Sequence, residues 1–310
     1  MPAGADEIIL HHYDTSPFSE KVRLMFGLKG MAWRSVIQPN IMPKPDLIPL
    51  TGGYRRAPVM QIGADVFCDS QVILAELERR SPGPAAGQGP AFAVNLWADR
   101  LFFGATVPII FAEIGDHVPR AFIEDREKMS GRPFDVKAMR AAAQMMHGQW
   151  RAQAGWIEHA LESSGDFLAG DAPGLADVSA YMNVWWLSGA TPILAEQLLS
   201  GLDRVKAWRG RMAAIGHGTR SELSTGEALE TAKAAEPNLS LAHDGDDPLS
   251  LAPGAAVCVM ADDYGRDPVS GILVASNHAR VTLRRDDPAL GRLHVHFPRA
   301  GYVVVPGVKG

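Results

Sequence analysis

A serine followed by a proline stands where a strand pattern gives way to a helix pattern. The run Ser16-Pro17-Phe18-Ser19 follows an apolar stretch that ends at Tyr13 and precedes a helical periodicity that ends at Gly30. A helix start offers backbone N–H groups and the positive end of the helix dipole, which together lower the pKa of a thiol placed there. The Ser16 hydroxyl is therefore a candidate to assist a thiolate, although the same pattern by itself describes a plain helix cap.

Two further segments have residue types that suit the rest of a small peptide. Arg56-Ala57-Pro58-Val59 enters a predicted strand, where a cis proline would turn backbone N–H and C=O groups toward a ligand. Asp69-Ser70 opens the next helix pattern, where a hydroxyl and N–H groups suit a carboxylate and the acid suits an ammonium group. Taken singly, these segments describe a trans proline that starts an edge strand and an ordinary N-cap. One ligand with a thiol, amides, an ammonium and a carboxylate would explain all three.

The order of the secondary-structure patterns indicates how these segments are positioned. Residues 7–80 follow the order strand, helix, strand, loop, strand, strand, helix, which is typical of an α/β sandwich with one mixed sheet. Helical periodicity covers 91–235, and short β-rich runs separated by turns come after residue 248, as in a small barrel or compact sheet. We predict domains at 1–82, 90–236 and 248–310, with a Pro/Gly-rich linker at Ser81–Pro90 and an acidic linker near 242–248.

Composition excludes several functions. The 310 residues carry a net charge of −5, so no basic excess suggests a nucleic acid or an anionic membrane as partner. Two cysteines cannot build a disulfide framework, and a reducing, cytoplasmic setting is expected. The apolar stretch Val184–Leu199 is too short and too broken to span a bilayer. His294 and His296 share a strand face, but without a clear third ligand we predict no metal site.

The three segments resemble the cytosolic glutathione transferase superfamily. The resemblance is carried by Ser16–Arg23, Gly27–Gly30, Arg56–Met60 and Asp69–Ile73, and it covers residues 7–80 well and the helical half more loosely. It implies a thioredoxin-like N-terminal domain, an all-helical second domain and glutathione as co-substrate. The β-rich tail lies outside the usual plan of that superfamily, and we expect it to form an appended, barrel-like module.

The resemblance also implies roles for single residues. Pro58 would be cis, and Val59 would pair through its backbone with the cysteinyl part of glutathione, beside Arg56. Asp69 and Ser70 would hold the γ-glutamyl end.

Ser16 would occupy the place of the catalytic hydroxyl or thiol. A serine cannot form a mixed disulfide, so it would stabilise the glutathione thiolate for attack on a small hydrophobic electrophile. The hydroxyl of Tyr13 is a rival for this role, and we prefer Ser16.

The helical half carries weaker signals. Asp177 begins a helix pattern behind Gly174, and we interpret it as a structural cap. The first long helix has aromatic side chains that are candidates for an electrophile pocket, although a place in the core is the simpler interpretation for each of them: Trp97, Phe102, Phe103 and Phe111. The segment Gly115–Asp135 is either a lid over the pocket or an insertion.

Two other functions stay open on sequence grounds. A non-catalytic glutathione-binding or interaction protein could keep the fold and use the β module to bind a partner. A thiol–disulfide reductase would need Cys68, the residue before Asp69, as its active thiol. For the enzyme we expect a cytoplasmic homodimer with a detoxifying role.

Overall fold

The N-terminal part is a mixed sheet flanked by helices. The computed structural model describes residues 4, 6–82 and 88–307. The elements of the first part are β1 (Ile9–His12), α1 (Pro17–Leu28), β2 (Ala32–Ile37), α2 (Ile48–Thr51), β3 (Val59–Ile62), β4 (Asp65–Cys68) and α3 (Ser70–Arg80). Strand β1 pairs parallel with β2 and antiparallel with β3, which pairs antiparallel with β4. This is the predicted thioredoxin-like arrangement. The predicted linker falls largely on residues 83–87, which lie outside the described residues.

The second part is all helical. It contains α4 (Gln88–Trp97), α5 (Phe103–Ile114), α6 (Arg120–Ser130), α7 (Val136–Ser164), α8 (Leu175–Ala190), α9 (Pro192–Leu198) and α10 (Asp203–Ile215). A π-helical turn at Ala98–Phe102 separates α4 from α5, where the sequence predicts one continuous helix. The segment Pro90–His117 is long and apolar enough to cross a membrane by length and composition alone. In this structure Phe102, Ile109 and Ile110 of that segment are fully buried in the core.

Asp177 holds the start of α8 as a cap, as the sequence predicts. Its carboxylate is fully buried and accepts hydrogen bonds from the backbone N–H of Leu168 at 2.9 Å and of Gly174 at 3.0 Å. It also accepts from the indole of Trp208 at 2.8 Å, which ties α10 to the start of α8. If the carboxylate were removed, the indole N–H of Trp208 would be buried without a partner and the two backbone N–H groups would lose theirs, so this residue stabilises the helical part.

The chain returns to the first sheet where the sequence predicts helix throughout. Strand β5 (Thr219–Glu222) pairs parallel with β2, and α11 (Thr225–Lys233) follows it. All four side chains of β5 are exposed, so the strand is held by its backbone and shows no alternation of apolar and polar residues. Sequence periodicity therefore gives no signal for this strand.

The C-terminal part adds five strands to the same sheet. They are β6 (Ala256–Ala261), β7 (Val269–Ser276), β8 (Arg280–Asp287), β9 (Gly291–Pro298) and β10 (Tyr302–Pro306). Strands β6 to β9 form an antiparallel meander, and β10 returns to pair with β6. Strand β9 pairs parallel with β4, with Val66 opposite Val295. The predicted appended β module is thus confirmed, and its strands continue the N-terminal sheet into a ten-stranded sheet.

Two neighbouring histidines in β1 are both buried. His11 Nε2 contacts the Gln61 side chain at 2.9 Å, and His12 Nε2 contacts the Ser35 hydroxyl at 3.0 Å. Burial lowers the pKa of His11 to about 4, and burial together with the nearby Arg23 lowers that of His12 to about 3. Both imidazoles are therefore neutral in the folded chain at neutral pH.

These histidines predict that acid destabilises the fold. Between pH 6.5 and 4 the unfolded chain binds a proton at His11 that the folded chain does not, so the free energy of unfolding falls as pH falls. For His11 alone the loss at pH 5 relative to pH 7.5 is about 2 kcal/mol. Urea unfolding at the two pH values measures it, and His11→Gln should reduce the pH dependence by that amount. His159→Gln, at an exposed position, should leave the dependence intact. Equal pH dependence in wild type and His11→Gln would contradict the assignment.

Candidate functional site

A cavity of about 1100 Å³ lies where the three parts of the chain meet. Its volume is at the upper end of what small-molecule sites have. The N-terminal part contributes the start of α1, the turn before β3 and the start of α3. The helical part contributes α5, α6 and α8, and the C-terminal part contributes Asp263 and Tyr264. The three segments that the sequence singles out thus face, or lie directly behind, one cavity.

The start of α1 presents three hydroxyl groups in different surroundings. Tyr13 is half-buried and Thr15 is exposed, and both line the cavity. Ser16 is only 1% exposed, and its Oγ accepts the backbone N–H of Ser19 at 3.1 Å. Ser16 is therefore the N-cap of α1, and it does not itself line the cavity, although its neighbours Thr15 and Pro17 do. The hydroxyl of Thr15 is a lining group that the sequence does not single out.

A buried arginine fixes the turn that carries these hydroxyls. Arg23 donates to the backbone carbonyl of Asp14 at 2.9 Å and to that of Tyr13 at 3.4 Å. Its charge is balanced by Glu20 at 2.7 Å, and both side chains are nearly inaccessible. The turn before α1 is thus held by a side chain from the second turn of the helix itself.

The predicted proline turn has the expected geometry. The Ala57–Pro58 peptide bond is cis, and both residues line the cavity. Val59 is buried, begins β3 and lies opposite His11 and Cys68 in the sheet. The preceding residue, Arg56, also lines the cavity and is held from the C-terminal part. Its guanidinium lies 2.7 Å from the Asp263 carboxylate and 4.3 Å from the centre of the Tyr264 ring.

Asp69 and Ser70 both line the cavity at the start of α3. Asp69 has a φ of 95°, a left-handed conformation that is costly for any residue except glycine. Its Oδ1 accepts the backbone N–H of Gln71 at 2.8 Å, and its Oδ2 accepts the hydroxyl of Tyr302 at 2.9 Å. Strained backbone of this kind is concentrated at functional sites.

Another part of the lining is cationic. Lys44 donates to the backbone carbonyl of Arg55 at 2.7 Å, and Arg55 and Arg126 both pair with the buried carboxylate of Asp125. Burial, with the nearby Arg126 and Arg55, lowers the pKa of Lys44 to about 8. Three cations beside one carboxylate leave an excess of positive charge that suits an anionic ligand group. No local motif announces this cluster in the sequence.

A carboxylate that is only 13% exposed reaches the cavity from the π-helical turn. Asp99 accepts from Lys21 at 2.6 Å and from the Asn95 amide at 3.1 Å. Burial raises the pKa of Asp99 to about 6, partly against the effect of Lys21 and with a contribution from Asp69. The cavity therefore has carboxylates at the starts of α3 and α5, whereas its cationic cluster comes from other segments. Its negative and positive groups thus lie in separate parts of the lining.

The remaining lining is aromatic and comes from the helical part. Phe103 lies between Phe18 and Trp186, with ring-centre distances of 4.8 and 5.4 Å. Of the sequence candidates, Phe103 and Phe111 line the cavity, whereas Trp97 and Phe102 stack on each other away from it. The segment Gly115–Asp135 contributes α6, whose Phe122 and Arg126 line the cavity. This segment forms a wall of the site.

Fold and cavity together define a class: a thioredoxin-fold protein with a helical second domain and a peptide-sized site between them. Family models for the glutathione S-transferase N-terminal domain and C-terminal domain match residues 10–85 and 140–211. A search of curated proteins finds no match. Among solved structures, a GST-like protein from Pseudomonas syringae is 35% identical, with 97% of this chain and all of that chain covered and a TM-score of 0.80. The chain belongs to the glutathione S-transferase superfamily.

Two more distant structures share the fold alone. FzlA from C. crescentus is 23% identical with a TM-score of 0.53, and the match covers 66% of this chain and 87% of that one. A glutathione S-transferase from Rhodospirillum rubrum is 20% identical with a TM-score of 0.52, over 67% and 88% of the two chains. At the level of the family, membership supports a glutathione-transferase type of function with glutathione as substrate.

The aromatic wall predicts that the cavity binds an apolar dye. Anilinonaphthalene sulfonate should bind with an affinity that Trp186→Ala lowers about tenfold, because truncation removes an indole contact of 1–3 kcal/mol. A fluorescence titration measures this. Ile193→Ala is the control, since Ile193 is 79% exposed and does not line the cavity. Equal weakening by both variants would show that the dye binds elsewhere.

Proposed function

We propose that this protein is a glutathione transferase that binds glutathione along the N-terminal side of the cavity and transfers it to a small hydrophobic electrophile on the aromatic side. The observation that carries the proposal is the convergence of three separate segments on one cavity. The start of α1, the cis Ala57–Pro58 turn and the start of α3 come from distant positions in the chain, and each has a group that suits a different part of the tripeptide.

The charges of the lining support one orientation of glutathione. The γ-glutamyl end would lie at Asp69 and Ser70, where the carboxylate faces the ammonium group and the helix start faces the carboxylate. The cysteinyl part would pair with the backbone of Val59 beside Arg56. The glycyl carboxylate would then reach Lys44, at the cationic end of the lining.

The sulfur would lie at the start of α1. A thiolate there gains from the N–H groups and dipole of a helix that begins at Pro17. We propose the hydroxyl of Ser16 as the hydrogen-bond donor to the thiolate, with that of Tyr13 as the rival. The Ser16 oxygen accepts from Ser19, so its own hydrogen is free to donate. The aromatic group around Phe103 and Trp186 would hold the electrophile.

The alternatives have less support. Cys68 is fully buried, and burial with the neighbouring Asp69 raises the pKa of its thiol well above its usual value. A thiol–disulfide exchange through this residue is thus disfavoured. A non-catalytic glutathione-binding protein would be retained by glutathione resin and show no turnover with chlorodinitrobenzene, peroxides or isothiocyanates.

We further propose a cytoplasmic homodimer with a detoxifying role. Exposed apolar side chains on the helical part support self-association: Leu101 is 65%, Met145 61% and Trp156 60% exposed. Met145 and Trp156 lie about three helical turns apart on the same face of α7. Large apolar side chains gathered on one face favour an isologous contact between two copies.

The assignment of Ser16 predicts the pKa of the bound thiol. Ser16→Ala should raise the pKa of enzyme-bound glutathione by about 1–2 units, because a hydrogen bond to a charged group contributes about 1.5–3 kcal/mol. The ultraviolet absorbance of the thiolate as a function of pH measures it.

Two variants complete that test. Ser224→Ala removes an N-cap of the same kind from α11, away from the cavity, and should change stability without changing the thiol pKa. If Tyr13→Phe raises the thiol pKa and Ser16→Ala does not, Tyr13 is the donor and the preference for Ser16 is wrong.

The assignment of Lys44 predicts a pH-dependent affinity. Glutathione should bind more weakly as pH rises through 8, because Lys44 then loses the charge that faces the glycyl carboxylate. Lys44→Gln should lower the affinity at pH 7 roughly tenfold and remove this part of the pH dependence. Isothermal titration calorimetry measures both effects, with the exposed Lys137→Gln as control. Unchanged affinity in Lys44→Gln would place the carboxylate elsewhere.

A further inference from the structure

The C-terminal sheet contacts the lining of the cavity at one point and contributes to it at another. One is Tyr302, the first residue of β10, whose hydroxyl donates to Oδ2 of Asp69 at 2.9 Å. The other is the segment between β6 and β7, residues 262–265, which supplies Asp263 and Tyr264 to the lining.

Tyr302 is arranged to orient a carboxylate. It is 8% exposed and does not line the cavity, so its hydroxyl approaches Asp69 from behind. Its ring packs 5.5 Å from that of Phe297, which in turn lies 5.9 Å from the ring of Tyr54. The aromatic packing restricts the rotamer of Tyr302 and so the position of its hydroxyl.

The hydrogen bonds divide the two oxygens of Asp69 evenly. Oδ1 accepts from the Gln71 N–H and Oδ2 from Tyr302. A carboxylate has about four acceptor positions, so each oxygen keeps one for a ligand. With both oxygens held, the carboxylate cannot turn away from the cavity, and the left-handed backbone at Asp69 is held in place by donors on either side.

The 262–265 segment bridges the two other parts of the chain. Asp262 pairs with Arg100 of the helical part, and Asp263 pairs with Arg56 of the N-terminal part at 2.7 Å. The N–H of Gly265 donates to the Met129 carbonyl at 2.9 Å, at the end of α6. The segment thereby fixes the wall of the cavity next to Arg56.

We propose that the C-terminal sheet is part of the co-substrate site and makes it selective for ligands with a free α-ammonium group. Tyr302 is a positioning residue that holds Asp69 ready for that group, and the 262–265 segment closes the adjoining wall. The inference rests on the proposed binding of glutathione. It adds that Tyr302, which lies outside the cavity, sets the selectivity for the γ-glutamyl end.

The test compares glutathione with N-acetylglutathione, whose α-amino group carries no charge. Calorimetry should show that wild type binds glutathione at least tenfold more tightly. Tyr302→Phe, which removes only the hydroxyl, should weaken glutathione binding about tenfold and leave N-acetylglutathione binding unchanged. Tyr181→Phe, at a buried tyrosine of the helical part, is the matched control and should change neither affinity.

A second pair of variants tests whether Tyr302 acts through Asp69. Asp69→Asn should lose the selectivity, and Tyr302→Phe should have no further effect on selectivity in that background. Additive effects, or an equal loss for both ligands in Tyr302→Phe, would overturn the positioning role. If wild type binds glutathione and the Tyr302→Phe selectivity is unchanged, the inference fails while the proposed function stands. If wild type binds neither ligand, the proposed function itself fails and the inference falls with it.

Discussion

The parallel pairing of β4 with β9 is the contact on which the arrangement of the site depends. Strand β4 would otherwise be the edge of the N-terminal sheet, with unpaired backbone groups next to the turn at Asp69. Strand β9 satisfies them, and Val66 and Val295 are fully buried at the junction. Because β4 runs directly into Asp69, the same pairing fixes the C-terminal sheet against the start of α3 and brings Tyr302 to it.

The site contains groups with an unfavourable local conformation or an unfavourable charge, and contacts from distant parts of the chain stabilise them. Asp69 adopts a left-handed backbone, which a hydroxyl from the far end of the chain helps to hold. The side chain of Arg56 is only 13% exposed beside the cavity and is balanced by Asp263, more than 200 residues later in the chain. Buried charges are tolerated only where a partner is in place, so these contacts make the cavity depend on all three parts being folded together.

The sequence predicted those features of the site that are local. Caps and the order of strands and helices leave signals within a few residues, and the structure has the cap at Asp69. The cis bond at Pro58 was expected only through the resemblance to the superfamily, because the residues taken singly describe a trans proline. Lys44 and Tyr302 have no such signal, since their roles arise from contacts across the fold. The histidines of β9 show the same limit: the sequence places His294 and His296 on one strand face but does not show that they are buried. His296 is buried and hydrogen-bonded to Asp65 at 2.8 Å, because β9 lies inside the sheet rather than at its edge.

The appended sheet also narrows the sulfur chemistry open to the protein. Cys68 shares a buried cluster with Val295 and Phe297 of β9, so the pairing that positions Asp69 also closes off the thiol next to it. Cys258, in β6, does not line the cavity. Neither cysteine can therefore supply a reactive thiolate at the site, and the helix start carries Ser16 in its place. A sulfur nucleophile in this cavity therefore has to come from a bound thiol. A transferase uses the thiol of its co-substrate in this way, whereas a disulfide reductase needs a reactive cysteine of its own.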